Sequence, residues 1–145
     1  METFFTEASD KQRKQAILLL EQAQLPTKDI DESVKLFVLQ SEQEVIGTGG
    51  LEQMNDYGLL RSVSVKESEK GRGFGQKITQ SIENYAKLIG IKELYLLTNT
   101  AKDFFDKKEN YEVVNRDLVP KEIQESTQFA GICPSSATVM RKKLV

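Results

Sequence analysis

The middle of the chain reads as a strand, a glycine-rich loop, a helix and a second strand. The run LLRSVSV, residues 59–65, has the β-branched and apolar content of a strand, and three glycines at two-residue spacing follow within Gly71–Gly75. Apolar residues at helical spacing predict a helix over residues 75–88, and the apolar run ELYLLT, residues 93–98, predicts the next strand. Strands on either side of such a helix run parallel, so this unit constrains the chain to an α/β fold.

The first third of the chain predicts a strand, a helix and two more strands. A strand over residues 2–6 precedes a helix over residues 11–24, which has N-cap oxygens at Ser9 and Asp10 and which Pro26 is expected to stop. KLFVLQ and VIGTGGLEQM are strands on either side of the turn SEQE, and the glycines of the second indicate a bulge or a close backbone approach. Together with LLRSVSV they make three consecutive strands, which form an antiparallel meander.

The last third predicts smaller elements. They are a short helix over residues 101–108, a strand near 111–114, a helix that begins at Pro120, and a last strand over residues 136–144. We therefore expect one domain over residues 1–145. Its mixed sheet has antiparallel N-terminal strands and a parallel central pair, and helices flank it.

Composition excludes several classes of function. A formal charge of −2 gives no field that would concentrate nucleic acid or an anionic membrane, so neither is expected as a partner. Cys133 is the single cysteine and no leader-like segment is visible, which favours the cytoplasm. The chain has no histidine, so the common zinc sites and histidine acid–base chemistry are excluded, and no metal is expected.

Three kinds of phosphate-binding loop compete for KGRGFGQK. A Walker A loop needs Ser or Thr after Gly-Lys, and a dinucleotide fingerprint needs G-x-G-x-x-G directly after a strand; neither pattern is present. A helix N-terminus that presents free N–H groups to a pyrophosphate fits the sequence. The rival interpretation is a flexible glycine turn with solvated basic residues.

The hexapeptide Lys70–Gly75 resembles the acyl-CoA loop of the GNAT superfamily of N-acetyltransferases, whose pattern is Gln or Arg, two residues, Gly, one residue, then Gly or Ala. Lys70 takes the first position as a conservative departure. The order of elements resembles the superfamily over nearly the whole chain. LLRSVSV, LYLLTNTAKDFF, VPKEIQEST and FAGICPSSATVMRK look like a subgroup of small GNAT proteins commonly labelled arsenic-resistance N-acetyltransferases, a label that is genomic more than a settled substrate.

The resemblance implies direct transfer of an acetyl group from acetyl-CoA to an amine. The strand before the loop would bind the pantetheine arm, and a backbone N–H there would polarise the thioester oxygen. Many members of the family use a tyrosine as general acid, and Phe105 stands at the matching position of this chain. The departing thiolate would therefore be protonated by water or not at all. Tyr111 matches a structural aromatic residue of the family and is not expected to replace the tyrosine. The residues expected to contact the cofactor are Val63, Ser64, Val65, Lys70, Gly71, Arg72, Gly73, Phe74, Gly75, Gln76 and Phe105.

Glu52 is the candidate general base, because it follows the glycine-rich bulge on the strand beside LLRSVSV; a solvated strand glutamate is the alternative. Alternation along the strand puts Arg61 on one face with Leu59, Val63 and Val65. Arg61 is interpreted either as a salt bridge to an internal carboxylate or as a bidentate clamp for a carboxylate, phosphonate or arsonate group of the acceptor.

Three further residues are candidate acceptor contacts. Thr98 and Asn99 end the second parallel strand, where they either line the site or cap the next helix, and Cys133 is either an acceptor contact or a structural cysteine.

Three functions remain open at this point. The first is an N-acetyltransferase that acts on a small amino-acid-like amine. The second is a non-catalytic acyl-CoA-binding or sensor domain, and the third is a protein lysine or N-terminal acetyltransferase. Superfamily members often dimerise, so a homodimer is a further expectation.

Overall fold

Seven strands pair into one mixed sheet in the part of the chain that the computed structural model describes, residues 2–99, 101–126, 129 and 137–145. The strands are β1 (Phe4–Glu7), β2 (Lys35–Ser41), β3 (Glu44–Met54), β4 (Tyr57–Val65), β5 (Glu93–Thr98), β6 (Glu112–Val113) and β7 (Thr138–Lys143). The helices are α1 (Asp10–Gln22), α2 (Phe74–Leu88), α3 (Lys102–Lys108) and α4 (Lys121–Gln124). The spatial order of the strands is β1-β2-β3-β4-β5-β7-β6.

The predicted α/β architecture is confirmed. Strands β1 to β4 pair antiparallel, β4 and β5 pair parallel, and β7 returns antiparallel to β5. The turn SEQE joins β2 to β3, and its central residues Glu42 and Gln43 both adopt positive φ, as a tight hairpin turn requires. No helix in the described ranges is both long and apolar enough to cross a membrane.

Local signals set both ends of α1. Ser9 forms a capping box with Gln12, since each side chain bonds the other residue's backbone N–H. The expectation that Pro26 stops the helix is wrong: α1 already ends at Gln22. Gln24 adopts a left-handed φ of +61°, and the Leu25 N–H donates to the Leu20 carbonyl.

Helices cover both faces of the sheet. Alternate residues of β2 show this division, because Phe37 and Leu39 pack with α2 whereas Leu36 and Val38 pack with α1. Helix α4 packs through Ile123 in a third cluster that includes Leu59 of β4. Helix α2 is thereby held against the centre of the sheet, with its N-terminus beside β4.

Glycines in β3 allow α2 to lie close to the sheet. A Cβ on Gly47 would stand 2.7 Å from Ile78 Cδ1, and one on Gly49 would stand 2.8 Å from Ile78 Cγ2 and collide with Ile82 as well. The predicted close backbone approach is therefore present, and its partner is helix α2.

A bulge in β4 changes which residues face the core. Thr48 pairs with Ser64 and Gly50 with Arg61, so Gly49 alone stands opposite two residues, Ser62 and Val63. Ser62 adopts a left-handed φ of +57° and accepts a hydrogen bond from Thr48 Oγ1 at its carbonyl, at 2.7 Å.

Because the bulge inserts one residue, side chains beyond it change face. Val63 and Val65 pack against the α2 cluster, whereas Leu59 belongs to the α4 cluster. The prediction that Leu59, Val63 and Val65 share one face was therefore wrong.

The two parallel strands pair over a short stretch only. Only Tyr57–Leu59 of β4 pair with Glu93–Tyr95 of β5, and in the described chain no pairing of these strands continues beyond Leu59. The rest of β4 therefore presents one unpaired edge to the gap. That gap is the mouth of the candidate site.

Candidate functional site

A cleft of about 840 Å³ opens where β4 and β5 diverge. This volume lies within the range of about 300–1,000 Å³ that is usual for small-molecule and cofactor sites. Thirteen of the predicted site residues line it: Arg61, Val63, Ser64, Val65, Lys70, Gly71, Gly73, Phe74, Gly75, Gln76, Thr98, Asn99 and Phe105. Glu52 and Arg72 do not line the cleft, and Cys133 lies outside the described residues.

The glycine loop leads into the first turn of α2. Gly71 and Gly73 adopt φ values of +83° and +82°, and a Cβ on either would meet no atom within 4 Å. Gly75 differs from them, because it lies inside the helix and a Cβ there would contact the Phe104 ring at 3.5 Å. Two of the three glycines are therefore required by backbone conformation, and both leave the space beside the loop open.

Gly73 is the N-cap of α2 and has no side chain to cap the helix. The first bond that closes onto this end runs from the Lys77 N–H to the Gly73 carbonyl at 3.1 Å. The N–H groups of Phe74, Gly75 and Gln76 belong to the first turn, where no helix carbonyl is available to accept them. Free donors and the positive end of the helix dipole together form a site suited to an anion.

The basic residues of the loop are partly neutralised. Lys70 pairs with Glu67 at 2.8 Å, and Arg72 approaches Glu69 at 3.6 Å. More than half of the Lys70 and Arg72 side chains is exposed, so both bridges are weak and can be exchanged for another anion.

Aromatic residues of α3, Phe104 and Phe105, also line the cleft. The ring of Phe105 makes edge contacts with Phe104 at 5.0 Å and with Tyr111 at 5.4 Å. Tyr111 is buried and donates from its hydroxyl to Glu83 Oε2 at 2.9 Å. Burial and the neighbouring Glu83 carboxylate raise the pKa of Tyr111 well above its ordinary value. Tyr111 does not line the cleft, in keeping with its expected structural role.

Arg61 lies in a buried network of charges. Its Nη1 and Nη2 bind both carboxylate oxygens of Asp29, the second at 2.7 Å, and Nη1 also donates to Glu52 Oε1 at 2.8 Å. Nε donates to Ser62 Oγ at 3.1 Å. The guanidinium side chain has 0% exposure, so it does not reach the open part of the cleft in this arrangement.

The internal salt bridge named as one alternative for Arg61 is thus present, and the candidate base Glu52 is a member of it. Burial alone would lower the pKa of Arg61, but the hydrogen bonds to Asp29 and Glu52 outweigh burial and raise it. One positive charge faces two negative ones in this network.

Thr98 and Asn99 stand at the end of β5, beside the cleft. Thr98 Oγ1 accepts from the Ala101 N–H at 2.9 Å, so this side chain bonds the N-cap residue of α3. No side chain of the described residues caps the first turn of α3, so this bond steadies the residue before the helix, and Thr98 lies beside the cleft as well.

Sequence reasoning missed part of the lining. The turn after α1 contributes Gln24, Leu25 and Pro26, and α3 contributes Phe104 and Lys108. The turn after α1 offered no signal, because its approach to β4 depends on how α1 packs on the sheet. Phe104 lies three positions after Ala101 and Lys108 lies four positions after Phe104, a spacing that could have placed both on one helix face.

Solved structures share this fold at low sequence identity. N-acetylglutamate synthase from Neisseria gonorrhoeae, complexed with coenzyme A and L-arginine, has a TM-score of 0.80 at 14% identity, over 97% of this chain and 33% of that one. PaiA N-acetyltransferase from Thermoplasma acidophilum, complexed with coenzyme A, has a TM-score of 0.71 at 14% identity, over 99% of each chain. A ribosomal-protein-alanine N-acetyltransferase from Escherichia coli has a TM-score of 0.76 at 13% identity, over 99% of this chain and 94% of that one.

The chain thus spans about a third of the length of the Neisseria synthase. Among curated proteins no significant sequence match is found. A family model does match: the model for the GNAT acetyltransferase family covers residues 2–108. That range holds β4, the glycine loop, α2 and β5, and it includes every residue named as lining the cleft. The chain therefore belongs to the GNAT family of acetyltransferases.

Proposed function

We propose that residues 1–145 form one acyl-CoA-binding domain that transfers an acetyl group from acetyl-CoA to the primary amine of a small, amino-acid-like acceptor. The observation that carries this proposal is the position of the glycine loop. Its open backbone and the first turn of α2 lie at one side of a cleft whose other wall is the unpaired edge of β4. The anion site at the N-terminus of α2 suits the pyrophosphate of coenzyme A, and the unpaired backbone groups of β4 suit the amides of its pantetheine arm.

The donor would occupy the cleft in two parts. The pyrophosphate would accept from the N–H groups between Gly71 and Gln76, with Lys70 and Arg72 beside it. The two amides of the pantetheine arm would bond to the edge of β4 over Val63–Val65, where β5 no longer supplies partners. One N–H of that stretch would also bind the thioester oxygen as negative charge develops on it. Two of the similar structures are complexes with coenzyme A, which supports acetyl-CoA as the donor.

Acetyl transfer then needs an unprotonated amine next to the thioester. The amine attacks the carbonyl carbon, the carbon–sulfur bond breaks, and the ammonium proton passes to a base. We assign Glu52 as the base acting through water, because its carboxylate stands next to Arg61 but does not line the cleft. Phe105 has no proton to give, so the CoA thiolate takes one from water or leaves as the anion. Binding both reactants in one cleft removes the entropic cost of bringing them together, and this accounts for much of the rate acceleration.

The acceptor would lie at the Arg61 end of the cleft, between the turn after α1 and the end of β5. Thr98 and Asn99 are the described polar residues at the β5 end, and Cys133 is assigned to this region from family order. Recognition of an acidic group on the acceptor is assigned to Arg61, so carboxylate-, phosphonate- and arsonate-bearing amines are the first acceptors to test. The resemblance to proteins labelled for arsenic resistance makes the arsonates of particular interest, in a protein that we place in the cytoplasm.

The test is a screen of purified protein with acetyl-CoA and a panel of primary amines, in which acetylated product is detected by mass spectrometry. The proposal expects product from at least one small amine and none without protein. Micromolar binding of acetyl-CoA with no product from any amine, free or peptide-borne, would favour a non-catalytic acyl-CoA-binding domain, for which the Phe105 substitution is the supporting observation.

Product from peptide N-termini or lysines in preference to free amino acids would indicate a protein acetyltransferase instead. Light scattering of the same sample tests the expected homodimer.

A further inference from the structure

The carboxylate of Asp29 occupies the position on Arg61 that an acidic acceptor would need. Both oxygens of Asp29 are bound by the two terminal nitrogens of the guanidinium, which is the geometry in which arginine recognises a free carboxylate. The side chain of Asp29 is 3% exposed and that of Arg61 is 0% exposed. The carboxylate site on Arg61 is therefore complete, buried and filled by the protein's own chain.

Two further N–H groups of Arg61 are also engaged. Nε binds Ser62 at the bulge, and Nη1 binds Glu52 in addition to Asp29. A guanidinium has five N–H groups, and these contacts account for four of them. An acidic acceptor cannot be added to this network beside Asp29, because a third negative charge would then be buried against a single positive one. To be bound through both terminal nitrogens of the guanidinium, it has to replace Asp29.

Asp29 belongs to the loop that follows α1, and this loop also borders the cleft. Gln24, Leu25 and Pro26 line the cleft just before it. At its far end Arg13 of α1 donates to the carbonyls of Asp31 and Val34 at 3.0 and 3.1 Å. The loop is thus anchored to α1 beyond Asp29, and within it the Asp29 side chain supplies the ion pair that ties it to β4. Release of that ion pair would free the segment beside the acceptor end without disturbing the anchor.

We propose that Asp29 is a specificity-determining residue: its carboxylate is an internal substitute for the acidic group of the acceptor, and an acidic acceptor binds by displacing it. This inference rests on the proposed function for the identity of the acceptor. Displacement exchanges one carboxylate for another, so the charge of the buried network is unchanged. Only those molecules in which Asp29 has left Arg61 can bind an acid. The apparent affinity for acids is therefore lower than it would be if Asp29 did not occupy Arg61.

The test compares wild type with Asp29→Asn, which keeps the shape of the side chain and removes its charge. Glu32→Gln is the matched control, because Glu32 is an exposed acid of the same loop that makes no contact with Arg61. The probes are L-amino acids and their α-carboxamides, titrated calorimetrically into protein saturated with coenzyme A. The quantity compared is the ratio of acid affinity to amide affinity, which does not depend on the fraction of protein that is folded.

We expect this ratio to rise about tenfold or more in Asp29→Asn, which corresponds to about 1.4 kcal/mol, and to stay at the wild-type value in Glu32→Gln. An unchanged or lower ratio in Asp29→Asn would overturn the inference, and so would failure of every acid in the panel to bind this variant. Acetyl transfer is measured on the same samples. Acids that bind more tightly to Asp29→Asn but are never acetylated would refute the proposed function and leave the role of Asp29 standing.

Discussion

Gly73 and Gly90 allow a direct test of whether the glycine loop before α2 binds a ligand. Their φ values are +82° and +90°, and a Cβ on either would meet no atom within 4 Å. The two glycines stand at opposite ends of α2, and only Gly73 lines the cleft. The same substitution at both positions therefore imposes similar backbone strain, but only one of the two should block a ligand.

The expected cost in stability is the same for Gly73→Trp and Gly90→Trp. An L-residue in the left-handed region costs about 1–2 kcal/mol, since the site otherwise has room for the side chain. At about 2–4 °C per kcal/mol for a chain of this size, the melting temperature of each variant should fall by about 2–8 °C. Thermal denaturation followed by circular dichroism measures this fall and shows whether each variant is folded at the temperature of the binding assay.

The expected effect on acetyl-CoA differs between the two variants. A hydrogen bond to a charged group contributes about 1.5–3 kcal/mol. An indole at position 73 should prevent at least two of the hydrogen bonds that the loop N–H groups would donate to the pyrophosphate. The dissociation constant should then rise by about 100-fold or more in Gly73→Trp and by less than about threefold in Gly90→Trp. Calorimetric titration measures both constants. Equal affinity in the two folded variants would refute the assignment of the loop to acetyl-CoA.

Three further predictions concern stability and turnover. Both carboxylate oxygens of Glu109 are buried, and burial followed by the nearby Glu83 carboxylate raises the pKa of Glu109, although Lys142 and Gln76 act in the opposite direction. Native protein therefore binds more protons than unfolded protein, and stability falls as pH rises through the native pKa of Glu109. Glu109→Gln should add about 1 kcal/mol to the free energy of unfolding at pH 7 and less near pH 5, and urea denaturation that gave the same gain at both pH values would contradict this. Gly49→Ala should lower the free energy of unfolding by about 1–3 kcal/mol, because the added methyl group would overlap Ile82 of α2. A variant as stable as wild type would show that Ile82 or α2 shifts to make room at no cost. Glu52→Gln should lower kcat by about 100-fold with little change in the acetyl-CoA dissociation constant, and a fall of less than about threefold would remove Glu52 from the role of base.

Local sequence was sufficient for the elements and their order. The capping box at Ser9, the two-residue hairpin turn at Glu42 and Gln43 and the positive-φ glycines of the loop are short-range features, since each depends on residues a few positions apart. The parallel pairing of β4 with β5 also followed from the chain, because a helix joins them. Thirteen of the 25 residues that line the cleft were predicted, and Val63–Val65, the loop residues and Phe105 came from the resemblance to the family's acyl-CoA loop.

The β4 bulge and the partners of Arg61 could not be predicted in this way. Nothing in LLRSVSV marks Ser62 as the extra residue, because a bulge is a property of the register between two strands. The strict alternation assumed for Arg61 and Val63 failed for that reason. Asp29 lies 32 positions from Arg61 and in a polar connector, where no periodic pattern points to a partner.

The sequence by itself therefore determined the order of the elements and the glycine loop, because local backbone preferences and hydrophobic periodicity act over a few residues. The residues along the edge of β4 followed from the resemblance of that sequence to the family. Only the tertiary structure decided which side chains reach the cleft. It turned Val63 and Val65 toward α2, drew the loop after α1 to β4, and placed Asp29 on the guanidinium of Arg61. These outcomes depend on register and on packing between distant segments, which no local pattern encodes.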